Sequence, residues 1–176
     1  MSDTCAYSRP ALTVDCVVFG FGSEGLKVLL VKRLKEPFAG RWALPGGFVE
    51  EGEDLLEAAR RELEEETSLF GVSLEQFAAF GRPGRDPRGW TVSVAYLAVV
   101  RCSDHRAKAA SDAGEAAWFP ARDLPPLAFD HAEIVDQTSR RLKEKLGAGP
   151  TGLEFLPPDL TAAELQELRA EILGRP

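Results

Sequence analysis

The chain has 176 residues, of which 44% are hydrophobic, and a formal net charge of −7 at pH 7. This length and apolar content suit one domain with a substantial hydrophobic core, with or without a short appendage. The negative charge argues against a protein that binds nucleic acid with its whole surface, because such binding depends on cationic contacts with phosphates.

The cysteines and the N-terminal segment indicate a cytoplasmic location. Cys5, Cys16 and Cys102 lie far apart and form no C-x-x-C pair, which favours reduced thiols over disulfides or a zinc site. The segment over 1–12 lacks the basic start and the long apolar run of a secretory signal. No apolar stretch reaches the roughly 18 residues that a membrane-spanning helix needs, so we expect no membrane partner.

The first half of the chain predicts a hairpin, a glycine-rich lead-in and a helix. Strand-forming residues alternate with turn residues before the lead-in, and the helical segment is free of Gly and Pro. In chain order, the predicted elements are strands over 12–21 and 26–33 joined by a turn over 22–25, a loop over 34–42, a short strand over 43–50 broken by Pro45, Gly46 and Gly47, and a helix over 54–67.

The second half predicts further strands, a helix and a tail. In chain order, the predicted elements are a strand over 72–81, a loop over 81–90, a strand over 91–100, a short strand with turns over 115–130 and an amphipathic helix over 131–146. Beyond a glycine-rich linker, the segment 157–174 predicts a last helix with Thr161 as N-cap and Glu164 at the capping-box spacing. We therefore expect a domain over 1–146 and a linker with a helical tail over 147–176.

The helix predicted over 54–67 is rich in glutamate. A turn of about 100° per residue places Glu62, Glu65 and Glu66 on one face, beside the apolar stripe. These carboxylates repel one another unless a cation lies between them, and oxygen ligands favour a hard divalent ion such as Mg²⁺ or Mn²⁺. Taken alone, the run also fits a solvated acidic face. The stripe expected to be buried is Leu56, Ala59 and Leu63, and the residues expected in solvent are Glu57, Arg60 and Glu64.

The residues around these glutamates resemble the signature of the Nudix family, G-x5-E-x7-R-E-U-x-E-E-x-G-U, in which U is a bulky aliphatic residue. The one departure is Ser68, where the family has a glycine at the exit of the helix. The segment 41–47, RWALPGG, also resembles the family's lead-in. The matching positions are Gly47, Glu53, Arg61, Glu62, Leu63, Glu65, Glu66 and Leu69.

The resemblance implies an α/β fold, namely the Nudix α/β/α sandwich with a mixed β-sheet and a loop-helix-loop catalytic motif. Enzymes of this family use water to cleave a nucleoside diphosphate linked to another group, X. The resemblance further implies a homodimer and a metal site for Mg²⁺ or Mn²⁺. The ligands that it implies are the carbonyl of Gly47 and the carboxylates of Glu62, Glu65 and Glu66.

By the same resemblance, an ion pair between Glu53 and Arg61 braces the motif, and Glu53 also reaches a metal. The alternative for Arg61 is a simple ion pair with Glu57, four residues earlier on the same helix.

Two further segments resemble the ADP-ribose pyrophosphatase-like branch of the family, which includes the Nudix-related transcriptional regulators of NAD metabolism. These segments are the loop 82–90 with the strand residues 92–96 after it, and the stretch 127–134, LAFDHAEI. We therefore expect Mg²⁺-dependent hydrolysis of ADP-ribose to AMP and ribose 5-phosphate. NADH, other nucleoside diphosphate sugars, dinucleoside polyphosphates and nucleoside triphosphates are the other candidate substrates.

The candidate substrate-binding residues are cationic or aromatic. Arginines bind diphosphate oxygens, and aromatic rings stack on adenine. The loop arginines fit a solvated loop equally well, and Trp90 and Phe38, either of which could stack on adenine, also fit core packing. The candidates are Arg41, Trp42, Arg82, Arg85, Arg88 and Trp90.

Three other polar residues have open roles. Glu115 precedes Trp118, as acidic residues do in many relatives, where one supplies a further metal ligand or a base. Asp112 is a weaker candidate for the same role. His131 begins a predicted helix, where a capping or core role is favoured over catalysis.

Two other classes of function compete with the enzyme. A DNA-binding regulator that senses ADP-ribose carries a winged helix after its Nudix domain, and the tail 151–176 resembles the first helix of such a domain but is too short to complete it. The tail has five acidic and two basic residues, which is unfavourable for contact with DNA phosphates. The third class is a nucleotide-binding module without catalysis. We expect the enzyme, with no nucleic acid partner.

Overall fold

A computed structural model describes residues 8–105, 114–149 and 153–174 of the chain. The strands in the described part are β1 (Ala11–Phe21), β2 (Lys27–Lys32), β3 (Trp42–Ala43), β4 (Gly46–Phe48), β5 (Glu75–Phe80), β6 (Thr91–Arg101) and β7 (Ala116–Pro120). The helices are α1 (Leu55–Thr67), α2 (His131–Ala148) and α3 (Ala162–Leu173). None of these helices has the length and hydropathy to span a lipid bilayer.

The strands form a mixed sheet in the order β3-β2-β1-β6-β5, with β4 paired to β1 and β7 paired to β2. The central strands β1 and β6 run parallel from Ala11 and Thr91 to Phe21 and Arg101. The other strand pairs are antiparallel. Both central strands are long and almost entirely buried. They form the centre of the sheet, against which the other elements pack.

Helices cover both faces of the sheet, since the side chains of β1 alternate between two core clusters. Val17 and Phe19 belong to the cluster that includes apolar residues of α2 and α3. Val14 and Val18 belong to the cluster that includes Leu63 and other residues of α1. Successive side chains of a strand point to opposite faces, so α1 lies on one face and α2 with α3 on the other. This is the expected α/β/α arrangement.

The segment 43–50 is interrupted at Pro45, as the sequence predicted, but its two glycines belong to a strand. It forms β3 and β4, which pair with β2 and β1 respectively. Leu44 and Pro45 separate the two strands, because proline has no N–H for a ladder, while its carbonyl accepts a hydrogen bond from the Cys16 N–H at 2.8 Å. The break carries the chain from β2 to β1, where β4 pairs on the same edge as β2 because β6 occupies the other edge, and it brings the two glycines of β4 beside α1.

Helix α1 begins and ends with side-chain and backbone caps. The carboxylate of Asp54 accepts a hydrogen bond from the Leu56 N–H at 2.8 Å, as an N-cap residue does. Ser68 ends the helix in the left-handed region, with φ 59° and ψ 19°, so serine here takes the conformation that glycine usually provides. Ala59 and Leu63 are buried and Leu56 is partly buried. The residues expected in solvent, Glu57, Arg60 and Glu64, are exposed.

The segment 153–174 packs on the same face of the sheet as α2. Phe155 is completely buried, and its carbonyl accepts a hydrogen bond from the Val99 N–H of β6 at 3.1 Å. Leu168 and Ile172 of α3 complete the apolar contact, and Thr161 and Glu164 form the expected capping box. The domain boundary at residue 146, and the description of the tail as a remnant of a winged-helix region, stay predictions.

The buried ring of Phe155 predicts that the tail contributes to the stability of the whole domain. We expect Phe155→Ala to lower the free energy of unfolding by about 3–5 kcal/mol, the usual cost of removing a large buried side chain. Phe70→Ala is the matched control, because its side chain is 72% exposed. Urea unfolding of both variants provides the measurement, and equal effects would show that the tail does not belong to the cooperative unit.

Candidate active site

A cavity of about 300 Å³ lies where β1, β2, β4, the end of α1, the loop 81–90 and the start of α2 meet. Its lining includes charged groups of both signs. Carboxylates come from Asp15, Glu36, Glu66 and Asp86, guanidinium groups come from Arg33, Arg85 and Arg88, and ammonium groups come from Lys32 and Lys35. A cavity of this kind suits a ligand that carries negative charge and is accompanied by a cation.

The two glycines of β4 let the strand approach α1 very closely. The Gly46 N–H donates a hydrogen bond to Oε2 of Glu66 at 2.9 Å. A Cβ atom on Gly46 would lie 2.1 Å from the carbonyl oxygen of Val14, and one on Gly47 would lie 2.3 Å from Oε1 of Glu62. Any other residue at either position would therefore displace β4 from β1 or push the Glu62 carboxylate away from the strand.

Arg61 connects the glutamates with the loop before α1. Its Nε and Nη2 donate to the two carboxylate oxygens of Glu53 at 2.8 and 2.9 Å. Its Nη1 donates to Glu62 at 2.8 Å and to Glu65 at 3.4 Å, and its Nη2 also reaches the Phe48 carbonyl at 3.2 Å. The guanidinium group thus neutralises part of the charge of the motif and fixes Glu53 in place.

The carboxylates of the motif differ in their electrostatic surroundings. Burial raises the pKa of Glu62, and it raises the pKa of Glu66 to about 7. The hydrogen bonds from Arg61 lower the pKa of Glu53 to about 2. Glu65 has a side chain that is 58% exposed. Glu62 and Glu66, which lie against β4, are therefore desolvated carboxyl groups, and a nearby cation would stabilise their charged forms.

In the described part of the chain, no three acidic, histidine or cysteine side chains converge on one point at ligating distance. The reason is visible at Arg61, which lies between Glu53, Glu62 and Glu65 and takes up their oxygens. The three-carboxylate metal site stays a prediction.

Arg85 is buried, so the solvated-loop alternative is wrong for this residue. Its guanidinium donates to both carboxylate oxygens of Asp130 at 2.9 and 2.7 Å and lies 3.5 Å from Asp15. Asp15 also accepts a hydrogen bond from the Ser93 hydroxyl. Because these carboxylates take up most of its donors, Arg85 joins the loop 81–90 to β1 and α2.

His131 has the core role that the sequence favoured over catalysis. It is buried, and its Nδ1 accepts a hydrogen bond from the Leu44 N–H at 2.9 Å. Its Nε2 lies 3.4 Å from Asp15, and burial lowers its pKa. The neutral ring with its proton on Nε2 satisfies both contacts, so His131 fixes the lead-in to the glycines against β1.

Several predicted site residues lie outside the lining of the cavity. Trp42 packs edge-on against Phe119, with ring centroids 4.6 Å apart. Arg82 is an exposed side chain that pairs with Glu133 at 3.0 Å, and Glu115 is an exposed partner of Lys32 at 3.5 Å. Arg41 and Trp90 are also exposed. Asp112 lies outside the described residues. Of the predicted residues, those in the lining are Gly47, Glu66, Arg85 and Arg88.

The sequence analysis missed four residues that build the cavity, namely Asp15, Arg33, Phe129 and Asp130. A signal existed for Asp15, because an aspartate stands within the otherwise apolar strand LTVDCVVFGF. Arg33 lies at the end of the predicted strand over 26–33, and Phe129 and Asp130 lie within the stretch 127–134. Nothing in their spacing indicates that β2, the loop 81–90 and α2 meet at one point.

A model of the NUDIX domain matches residues 9–138 of the chain, which is more than half of its length. The chain belongs to the Nudix family. A solved Nudix domain, that of Shewanella oneidensis NrtR complexed with ADP ribose, has a TM-score of 0.72 and 38% identity, and the match covers 80% of this chain and 93% of that structure. The family and the sandwich fold expected from the sequence are thereby confirmed.

Two other Nudix relatives differ in their functions. An ADP-ribose pyrophosphatase of Methanocaldococcus jannaschii is 41% identical over 134 residues, which cover 76% of this chain and 76% of the relative. The ADPR responsive transcriptional repressor NtrR of Acinetobacter baylyi is 36% identical over 171 residues, which cover 96% of this chain and 68% of the relative. The relatives therefore include both an enzyme and a regulator.

The buried pair of Arg85 and Asp130 predicts a strong effect of removing one charge. We expect Asp130→Asn to lower the free energy of unfolding by about 3 kcal/mol, because a buried guanidinium loses its main partner. Asp136→Asn, on the same helix, removes an exposed ion pair with Arg140 and should cost less than about 0.5 kcal/mol. Urea unfolding at neutral pH compares the two, and similar small losses would contradict the assigned role of the pair.

Proposed function

We propose that this chain is a Mg²⁺-dependent pyrophosphohydrolase that cleaves a nucleoside diphosphate linked to X, and that ADP-ribose, hydrolysed to AMP and ribose 5-phosphate, is its main substrate. The observation that carries the proposal is the contact of two desolvated carboxylates, Glu62 and Glu66, with the Gly46-Gly47 strand beside a cavity lined by guanidinium groups. The pyrophosphatase relative and the structure complexed with ADP ribose support the choice of substrate.

The residues present fit a hard divalent ion. The donors are oxygen atoms, namely the carboxylates of Glu62, Glu65 and Glu66 and the carbonyl of Gly47, and such donors suit Mg²⁺, with Mn²⁺ as the substitute. Burial of Glu62 and Glu66 disfavours their charged forms, so a cation would offset a real electrostatic cost. When bound, the ion would neutralise charge on the diphosphate and lower the pKa of an attacking water.

The chain's own residues would orient the substrate and limit solvent access. Phosphoryl transfer depends mainly on positioning and on neutralising charge. Arg88 lines the cavity with its side chain 39% exposed, so it is placed to meet a phosphate. Arg85 would hold the loop that carries Arg88, and the pair of Glu53 and Arg61 would hold the motif.

The other predicted site residues have side chains that do not line the cavity, and their roles are proposed from the sequence. Substrate contacts of Arg41, Trp42, Arg82 and Trp90, and the part of Glu115 as base or ligand, concern side chains outside the cavity lining. A homodimer and a cytoplasmic location are also proposed, on the family resemblance and on the cysteine pattern respectively.

The activity is tested with a panel of nucleoside diphosphate compounds in Mg²⁺, scored for release of AMP. We expect Glu66→Gln to lower kcat by at least about 100-fold while leaving the fold intact, because it removes one of the charges proposed to hold the ion. Glu64→Gln is the matched control, since Glu64 lies on the exposed face of the same helix. A Glu66→Gln variant with the wild-type rate would remove this assignment, and binding of ADP-ribose without release of AMP would favour a non-catalytic module.

A regulator that senses ADP-ribose is the second candidate, because the match to the Acinetobacter repressor covers 96% of this chain and so extends beyond the Nudix model. Against it, the acidic groups of the tail are unsuited to DNA. Two of them, Asp159 and Glu164, form ion pairs with Arg101 at the end of β6. The charge of Arg101 is therefore neutralised within the protein.

An electrophoretic mobility assay separates the enzyme from the regulator. We expect no specific complex between the chain and DNA at about 0.15 M salt, with or without ADP-ribose, because the tail offers too few cations for phosphate contacts. A complex that survives excess competitor DNA and responds to ADP-ribose would instead make the chain a regulator.

A further inference from the structure

Phe129 lies in the cavity between residues that are distant in sequence. The Cζ atom of Arg33 lies 4.7 Å from the centroid of its ring, and the Cζ atom of Arg88 lies 5.4 Å from it. Phe38 contacts the same ring edge-on, with centroids 4.9 Å apart. The ring of Phe129 thus contacts two guanidinium groups, that of Arg33 just after β2 and that of Arg88 in the loop 81–90.

Arg33 has donors that meet only neutral oxygens. Its Nε donates to the Pro37 carbonyl at 2.8 Å and its Nη2 donates to the Lys35 carbonyl at 3.3 Å. No carboxylate in the described part of the chain lies within ion-pair distance of Arg33. Burial, followed by the positive charge of Arg88, lowers the pKa of Arg33, and the carboxylates of Glu66, Asp86 and Glu36 oppose this shift without forming an ion pair with it. A partly buried cation beside a second cation is unfavourable unless an anion joins them.

The guanidinium group of Arg88 uses its Nε and Nη2 edge for Asp86 and keeps its Nη1 donors available. Its Nε and Nη2 donate to Asp86 at 3.0 and 2.6 Å, and Asp86 is buried. Its Cζ atom also lies 4.8 Å from the ring centroid of Phe48. Its Nη1 makes no hydrogen bond to any described residue. The ion pair and the two rings therefore hold the group in place and leave in-plane donors for a ligand.

The backbone at Phe129 is held in an uncommon conformation. Phe129 has φ 53° and its contact Phe38 has φ 66°, in a left-handed region that bulky side chains rarely occupy. The two residues after Phe129 are anchored, Asp130 to Arg85 and His131 to Leu44. Strained conformations persist where the surroundings fix them, and they cluster at ligand sites.

We propose that Phe129 is a positioning residue that holds Arg33 and Arg88 as a paired anion site, and that the anion is a phosphate of the substrate. This inference rests on the proposed function for the identity of the ligand. Guanidinium groups present their N–H donors at the edges of the plane, where they match phosphate oxygens. Contact of the planes with an aromatic ring leaves those edges free.

The test measures binding of ADP-ribose to the full chain in EDTA by calorimetry, so that neither metal nor hydrolysis affects the result. We expect Arg33→Gln and Arg88→Gln each to raise Kd at least about 10-fold, as loss of a charge-assisted hydrogen bond does. Arg140→Gln, an exposed charge on α2, should leave Kd unchanged. Inorganic pyrophosphate, used as a competitor, should lose affinity in the same two variants.

Variants of Phe129 test its positioning role. Phe129→Leu should raise Kd about 3- to 10-fold, whereas Phe129→Tyr, which keeps the ring, should bind as the wild type does. In the background of both arginine substitutions, Phe129→Leu should have almost no further effect, because residues that act through one another are not additive. In hydrolysis assays, the Leu variant should change KM more than kcat.

The outcomes separate this inference from the proposed function. Unchanged Kd values in both arginine variants overturn the anion site, even if the chain releases AMP in Mg²⁺. Failure of the wild type to bind ADP-ribose and pyrophosphate in EDTA also overturns it. Arginine-dependent binding without any hydrolysis supports the site and rejects the enzyme. Thermal unfolding is followed for every variant, and if Phe129→Leu does not fold, full additivity of Arg33→Gln with Arg88→Gln would reject a shared anion.

Discussion

The buried ion pair between Arg85 and Asp130 is the interaction on which the cavity depends. Both residues are almost inaccessible to water, and desolvating them is costly unless each finds good partners. The pair meets this condition with two hydrogen bonds and with Asp15 as a second carboxylate. As a result, the loop 81–90, the start of α2 and the middle of β1 keep one relative position.

The close contact between β4 and α1 provides the other half of the cavity. Gly46 and Gly47 allow the carboxylates of Glu62 and Glu66 to lie directly against the strand, and His131 holds the chain just before them through the Leu44 amide. Negative groups from α1 and positive groups around Phe129 are thus placed by the same buried residues. A cavity lined by groups of both signs of charge suits a diphosphate together with a cation.

The α/β sandwich and the family could be predicted from the sequence, because their signals are local. Runs of strand-forming residues marked β1 and β6, the absence of Gly and Pro marked α1, and the glycine–glutamate spacing marked the motif. Strand boundaries were harder to predict near Pro45, because proline interrupts the hydrogen bonding of a strand while the glycines after it still pair. The segment 43–50 therefore contains parts of two strands, β3 and β4. Ser68 took the left-handed conformation that glycine usually provides at a helix exit, which costs a residue with a Cβ roughly 1–2 kcal/mol.

Only the tertiary structure decided which side chains meet. Arg85 and Trp42 were candidates for substrate binding by residue type, yet one is enclosed by carboxylates and the other packs in the core. Arg33 and Phe129 had no motif of their own, but long-range packing brings them together. A sequence records the chemistry of each residue and the period of each element. Contacts between residues far apart in the sequence are fixed by burial and charge pairing, and these depend on the complete fold.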